Sequence, residues 1–169
     1  MDNPLFQFLE KLDGASFREP TAEEAAALLA LTDKPLPPVL TELYTRCIPA
    51  EEIGCAGFVF YGIDRIVSEN RDYIPGANLL PFGLLTFASG LDGDSVSIDL
   101  NAPDHPVYLC PHELLGDEDA VYLYENGETQ ELPFTYENIL RVSQRMADSF
   151  AAFLAETLPE LLAEELDDR

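Results

Sequence analysis

Positively charged residues are scarce in this sequence. Its 169 residues include nine Lys and Arg against 32 Asp and Glu, which gives a formal net charge of -23 and a pI of about 4.1. Nucleic acids and anionic membranes attract clustered cations, so both are disfavoured as partners. A strongly negative field instead speeds the encounter with basic proteins. Solubility is the simplest explanation of the charge taken alone, so a basic partner needs further support.

Cysteine and long hydrophobic runs are also lacking. Cys47, Cys55 and Cys110 are an odd number without C-x-x-C spacing, which is typical of reduced thiols in a cytosolic protein and not of a disulfide framework. No apolar run approaches the ~20 residues of a membrane span, and Met1 is not followed by the basic and apolar regions of a signal peptide. These absences predict a cytoplasmic protein that is not bound to a membrane.

The motifs of common enzymes are absent. The sequence has no G-x-S-x-G elbow, P-loop, G-x-G-x-x-G or H-E-x-x-H. A zinc site usually needs about four ligands, most often Cys or His, and the whole chain has three Cys and two His. Cys110 and His112 would share one face of a strand, but residues two apart rarely reach the geometry that activates a thiol. We therefore expect no enzyme activity, no cofactor and no metal site.

The residues that are present suffice for one folded domain. The sequence is 47% hydrophobic and 24% charged, with ten Phe and seven Tyr, which is typical of a globular protein and not of a disordered acidic tail. A chain of this length buries roughly 70% of its unfolded surface, enough for a core without disulfides. We expect residues 1–169 to form a single domain in which 159–169 is an acidic helix or tail.

Short runs of β-branched and aromatic residues predict a sheet in the middle of the chain. From residue 79 onward, Gly, Asp, Asn and Pro separate these runs at hairpin-like spacing, and the gaps there are too short for the crossover helices that parallel strands need. The predicted strands are residues 58–61, 79–87, 95–100, 106–110 and 121–125, with a further short strand at 131–132. The sheet should be mainly antiparallel, or mixed, with about five or six strands.

Helical patterns flank these strands. Thr21 and Glu24 have the spacing of a capping box, in which each side chain binds the backbone N–H of the other residue, and Thr135 is placed to cap one long helix. Other predicted helices are 4–12, 39–46 and 63–73. The long helix would carry on one stripe Ile139, Val142, Met146, Phe150, Phe153, Leu154 and Leu158. Helices at both ends around a central sheet predict an α+β domain.

Residues 91–100, LDGDSVSIDL, hold three aspartates around one glycine. In the strand, alternate apolar residues from position 96 would face the core, which places Asp92 and Asp94 beside Gly93 in a turn and Asp99 on the other face. The spacing does not fit an EF-hand. Three interpretations stay open: a hairpin turn, an acidic loop that binds a protein, and a metal or catalytic site. A metal-dependent hydrolase would use as ligands Asp92, Asp94, Asp99 and His112.

Several short motifs occur in a characteristic order. They are an LP helix at Leu36–Pro37, LLPFG at 79–83, a Gly-Asp turn before a strand that ends in Asp at 93–99, HPVYLCPHE at 105–113 and SFAAFL at 149–154. Over residues 20–158 this order resembles the SUKH superfamily, the Smi/Knr-type domain. Two features depart from it. Thr45-Arg46-Cys47 stands where a tryptophan and Asn-Gly are common, and an extra Leu-Asp precedes the Gly-Asp turn.

The resemblance implies an α+β fold, no cofactor and a binding role. Many bacterial members look like immunity proteins that neutralise a toxin, commonly a nuclease, and fungal relatives act as regulatory scaffolds. We therefore expect a cytoplasmic monomer or weak homodimer that binds a basic toxin domain, with a scaffold lacking a toxin partner as the alternative. Gly83 and Gly93 would be turn residues. The expected partner-binding residues are Asp92, Asp94, Asp99, Asp117, Glu118 and Asp119.

Overall fold

Short strands and helices follow one another in the computed structural model, which describes residues 16–46, 48–55, 57–90 and 92–167. Its strands are β1 (Phe17–Arg18), β2 (Ile48–Pro49), β3 (Ile53–Cys55), β4 (Phe58–Phe60), β5 (Leu84–Gly90), β6 (Ser95–Asp99), β7 (Val107–Cys110), β8 (Ala120–Glu125), β9 (Glu128–Pro133) and β10 (Gln144–Ala147). Its α-helices are α1 (Ala22–Leu29), α2 (Pro38–Arg46), α3 (Ile63–Asp72), α4 (Gly76–Leu79), α5 (His112–Leu115), α6 (Tyr136–Val142), α7 (Phe150–Ala152) and α8 (Leu158–Asp167). The helix predicted at residues 4–12 lies outside the described residues.

A six-stranded sheet forms the centre of the fold. Its order is β10-β7-β6-β5-β4-β3, and every neighbouring pair is antiparallel. Two smaller pairs, β1 with β2 and β8 with β9, are also antiparallel. The prediction of an α+β protein with a mainly antiparallel sheet is therefore confirmed. Among the described residues, no helix combines the length and apolar character needed to cross a bilayer.

The middle of the sheet is buried on both faces. Successive side chains of a strand point to opposite sides, and all five residues of β6 are buried. One face, with Leu85 opposite Ile98, joins the larger core, which also contains Phe60, Phe87, Phe150 and Phe153. The other face joins a smaller core made of Leu79, Leu84, Cys110, Leu115, Val121 and Ile139. The elements that supply this second core include α5, α6 and β8, so they cover the face that holds the polar residues of β6.

Two hydrogen bonds of the Asn70 side-chain amide attach helix α3 to strand β5. Asn70 Nδ2 donates to the carbonyl oxygen of Thr86 at 2.7 Å, and the Thr86 backbone N–H donates to Asn70 Oδ1 at 2.9 Å. Thr86 lies beside an irregularity in the register of β5, where a backbone group needs a partner from outside the ladder. These two bonds hold the C-terminal end of α3 against the sheet and therefore set the direction of the chain after α3.

The prediction of one long helix after Thr135 is wrong. Thr135 does cap α6, but the backbone becomes extended at Ser143, and the next strand, β10, pairs with β7. Ser149 then caps α7, which continues through a π-helical turn at Phe153–Thr157 into α8. The apolar residues at helical spacing belong to both cores: Ile139 lies in the smaller one, and Phe150 in the larger one. Apolar residues spaced three or four apart are therefore found here in two helices and a strand, and their spacing did not indicate one continuous helix.

Among the other local predictions, the capping box is confirmed and two strands have different bounds. Thr21 and Glu24 form both bonds of the capping box at the start of α1. The strand predicted at 79–87 begins at Leu84, because α4 and a 3-10 turn at Leu80–Phe82 occupy the preceding residues. The predicted strand at 131–132 is longer, since β9 pairs along its whole length with β8.

Candidate functional site

The aspartates of 92–94 belong to the hairpin between β5 and β6. Gly90 donates to the carbonyl oxygen of Asp94 at 2.8 Å, and Gly93 has a φ of 87°, a conformation that glycine adopts without strain. Asp94 Oδ1 accepts the backbone N–H of His112 at 3.0 Å and lies 3.0 Å from His112 Nδ1. Asp94 therefore ties the hairpin to the start of α5. Asp92 is exposed at the tip.

The acidic residues of 117–119 follow the end of α5. Asp117 Oδ1 accepts the backbone N–H of Asp119 at 2.9 Å, and Asp117 Oδ2 accepts the hydroxyl of Tyr122 at 3.1 Å. The hydrogen bond to Asp117 raises the pKa of Tyr122. Glu118 and Asp119 are exposed. Asp117 is thus used to shape the loop, and the two residues after it present their charge to solvent.

Helix α5 brings the two acidic segments close together. The helix has four residues and is about 6 Å long at 1.5 Å per residue. Asp94 binds its first backbone N–H, and Gly116 leads from its end into the acidic loop. We call residues 92–94 and 112–119 the α5 surface.

Asp99 is not part of the exposed surface, which corrects the expectation that it contributes negative charge there. Its exposed fraction is 1%. The Tyr136 hydroxyl donates to Asp99 Oδ2 at 2.5 Å, and Oδ1 accepts the backbone N–H and the side-chain Nδ2 of Asn101, each at 2.9 Å. Burial, followed by the bond to Asp99, raises the pKa of Tyr136 to about 12. Asp99 holds the loop after β6 against α6, because the second core layer covers this face of the sheet.

Gly83 holds the other end of the same hairpin. Its φ is 80°, and a Cβ there would lie 2.6 Å from Asn101 Oδ1. Asn101 Nδ2 donates to the carbonyl oxygen of Phe82 at 2.9 Å, and Leu100 donates to that of Gly83 at 2.8 Å. The glycine is needed for both its conformation and its contact with Asn101.

The side chains of the metal-site hypothesis are not brought together. Asp94 and His112 are in contact, Asp92 is at the exposed tip, and the Asp99 carboxylate is bonded to Tyr136 and Asn101. Within residues 16–46, 48–55, 57–90 and 92–167, no group of three or more His, Cys, Asp or Glu is arranged to hold a metal ion. Cys110 is fully buried in the smaller core, and burial raises the pKa of its thiol to about 11. A protonated, enclosed thiol is not an activated nucleophile.

An exposed apolar turn beside the α5 surface was missed by the sequence reasoning. Tyr73 and Ile74, which we call the Tyr73–Ile74 turn, follow α3 and are 50% and 61% exposed. Ile74 Cδ1 is 3.8 Å from the position that a Cβ on Gly116 would occupy, and Asn78 Nδ2 donates to the carbonyl oxygen of Leu115 at 3.3 Å. The sequence could have indicated this exposed turn, because two large apolar residues directly precede Pro75 and Gly76 and turns lie at the surface.

The charge is unevenly distributed along the chain. Between Arg71 and Arg141 the sequence holds thirteen Asp and Glu and no Lys or Arg. This segment contains the whole α5 surface, the β8–β9 pair and three of the six strands of the central sheet. Arg141 itself pairs with Glu125 at 3.3 Å, and Arg145, the next cation, pairs with Asp148 at 3.1 Å. This gap in the cations can be read directly from the sequence.

Comparison with known proteins assigns the chain to a family. The model of the SMI1 / KNR4 family (SUKH-1) matches residues 19–156, well over half of the sequence. No curated protein matches the chain. Comparison with solved structures finds no match either.

Proposed function

The chain belongs to the SMI1/KNR4 family (SUKH-1), and from this we propose that it is a cytoplasmic immunity protein that neutralises a basic toxin domain, of the nuclease type, by binding it. The observation that carries the proposal is the segment between Arg71 and Arg141, which has thirteen acidic residues and no cation and contains the α5 surface. A toxin that acts on nucleic acid needs clustered cations, so an acidic protein is its natural electrostatic complement.

The physical part of the proposal concerns the rate of association. A protein surface of one charge sign attracts an oppositely charged partner before contact and raises the association rate constant, and salt weakens this attraction. The exposed residues Asp92, Glu118 and Asp119 are suited to this role because none of their side chains is needed for the bonds that hold the hairpin and the loop. Binding by the protein surface requires no catalytic group.

The first experiment is affinity capture from the native cells, with elution by increasing salt and identification of what elutes. The recovered protein is then purified, and its toxicity and nuclease activity are measured with and without this chain. We expect one basic domain whose activity is abolished in the complex. Recovery of a partner without toxic or enzymatic activity would overturn the immunity function in favour of a regulatory scaffold of the same fold.

Charge reversal on that complex tests the electrostatic part. The variant Asp92→Lys/Glu118→Lys/Asp119→Lys should slow association by about tenfold or more at low salt and change dissociation little. The matched control, Glu19→Lys/Asp33→Lys/Glu51→Lys, makes the same change in net charge at exposed positions outside the acidic segment. Equal rate constants for the two variants, or no salt dependence, would contradict steering by the α5 surface.

A further inference from the structure

Exposed large apolar side chains are few, and two of them are neighbours. In the described ranges, the large hydrophobic residues with high exposure are Leu29, Tyr73, Ile74 and Tyr124. Scattered single residues of this kind are ordinary, but an adjacent pair at a fixed position is a candidate contact. The Tyr73–Ile74 turn is the one place in those ranges where two of them adjoin in sequence.

The turn is held in place before any partner arrives. The guanidinium carbon of Arg65 lies 4.8 Å from the centre of the Tyr73 ring, and Arg65 also pairs with Glu69 at 3.1 Å. Ile74 lies beside Gly116, since a Cβ placed on that glycine would be 3.8 Å from Ile74 Cδ1. A side chain that is already positioned loses less conformational freedom on binding, so its burial contributes more to affinity.

The surroundings of the turn are acidic. Gly116, which lies beside Ile74, is followed directly by Asp117, Glu118 and Asp119. The cations near the turn are Arg71, which is exposed, and Arg65, which pairs with Glu69. An apolar and aromatic centre beside a charged rim is the arrangement of side chains found at energetically important parts of protein interfaces.

We propose that the Tyr73–Ile74 turn is the apolar anchor of the partner-binding surface, and that its occupant is a cationic protein segment. This segment seats an apolar side chain against Ile74 while its Lys or Arg side chains face Glu118 and Asp119. The assignment deepens the proposed function and rests on it for the identity of the natural partner. Charge complementarity selects the occupant: a second copy of this chain brings another -23 of net charge and is repelled.

The test uses two synthetic peptides of equal charge, Arg-Leu-Arg-Leu-Arg and Arg-Ser-Arg-Ser-Arg, with blocked ends. Each is titrated into the full chain while the backbone amide signals are followed by NMR. We expect the leucine peptide to shift the signals of residues 72–76 and 116–122 most strongly. It should also bind about threefold to tenfold more tightly than the serine peptide, since only leucine can bury apolar area on Ile74.

Paired variants separate the turn from general acidity. Ile74→Ser should remove the preference for the leucine peptide, whereas Leu29→Ser, at a residue that is 52% exposed, should retain it. Glu118→Gln should weaken both peptides more than Glu128→Gln does, although both residues are exposed and both variants lose one charge. Unfolding midpoints equal to the parent confirm that the substitutions act at the surface.

The outcomes distinguish this proposal from the immunity function. Signal shifts spread over the whole acidic segment, or a leucine preference that survives Ile74→Ser, would overturn the anchor even if a toxin is captured. Shifts confined to the turn and the 116–119 loop, with the preference lost in Ile74→Ser, support the anchor even if the captured partner is not a toxin. Concentration-dependent dimerisation through the same residues would replace the cationic occupant by a second copy and overturn the proposal.

Discussion

Removing one hydroxyl from Tyr136 tests whether Asp99 is a buried structural carboxylate. In Tyr136→Phe, Asp99 Oδ2 loses the donor that lies 2.5 Å away, and the 1% exposure of Asp99 leaves little access for water to replace it. A hydrogen bond to a charged group contributes about 1.5–3 kcal/mol, and a buried acceptor left without a partner pays the full cost of its desolvation. We therefore expect the free energy of unfolding to fall by about 1.5–3 kcal/mol.

The chain offers a matched control in Tyr122→Phe. That substitution also removes a tyrosine hydroxyl from an aspartate, here Asp117 Oδ2 at 3.1 Å, but Asp117 is exposed and water can take the place of the hydroxyl. Its expected cost is within about 0.5 kcal/mol, as for most surface changes.

Urea unfolding followed by circular dichroism measures both variants against the parent. At this chain length, about 2 kcal/mol lowers the melting temperature by roughly 4–8 °C, so thermal unfolding gives a second reading. Equal losses in the two variants would refute the reasoning, because burial is the difference between the two bonds. A loss below about 0.5 kcal/mol in Tyr136→Phe would also refute it.

Two other predictions concern the backbone and pH. Gly83→Ala should destabilise the protein by about 1–3 kcal/mol more than Gly127→Ala, measured by urea unfolding, because the added methyl group overpacks its surroundings. Both residues have positive φ, but a Cβ at Gly83 meets Asn101 at 2.6 Å, whereas a Cβ at Gly127 meets nothing within 4 Å; equal losses would contradict this. The hydrogen bond from Arg18 lowers the pKa of Glu24 to about 2. The contribution of this bond to the stability of the fold is therefore complete above the ordinary pKa of 4.5 and is lost as pH falls toward 2. NMR titration should show this low pKa and its rise in Arg18→Gln, and an unchanged value would contradict the assignment.

Features set by neighbouring residues could be predicted from the sequence. The capping box of Thr21 and Glu24 needs residues three positions apart, and the turn at Gly93 needs a residue that tolerates positive φ. The antiparallel sheet followed from gaps that exclude crossover helices. The order of motifs over 20–158 also led to the family that the match over 19–156 assigns.

Burial that depends on which elements pack against the second face of the sheet could not be predicted in this way. Alternation in β6 placed Asp99 opposite the apolar residues, but alternation does not tell whether that opposite face is covered by a second layer. Here α5, α6 and β8 cover it, and the carboxylate became internal. The same limit explains the missed strand β10: helical spacing is satisfied by Ile139 and Phe150 even though they belong to different cores. The position of the Tyr73–Ile74 turn beside Gly116 brings together residues that are distant in sequence.

The acidic residues of the candidate site therefore divide by what their oxygens bind. Asp94, Asp99 and Asp117 accept hydrogen bonds that hold a helix start, a loop and a turn, so their replacement should act first on folding. Asp92, Glu118 and Asp119 are exposed, and among the described residues none of their side chains has such a bond, so replacement should act first on association. A loss of binding in an Asp94 or Asp99 variant is consequently ambiguous unless its stability is also measured. Asp92, Glu118, Asp119 and Ile74 are the positions at which a binding defect can be assigned to the surface itself.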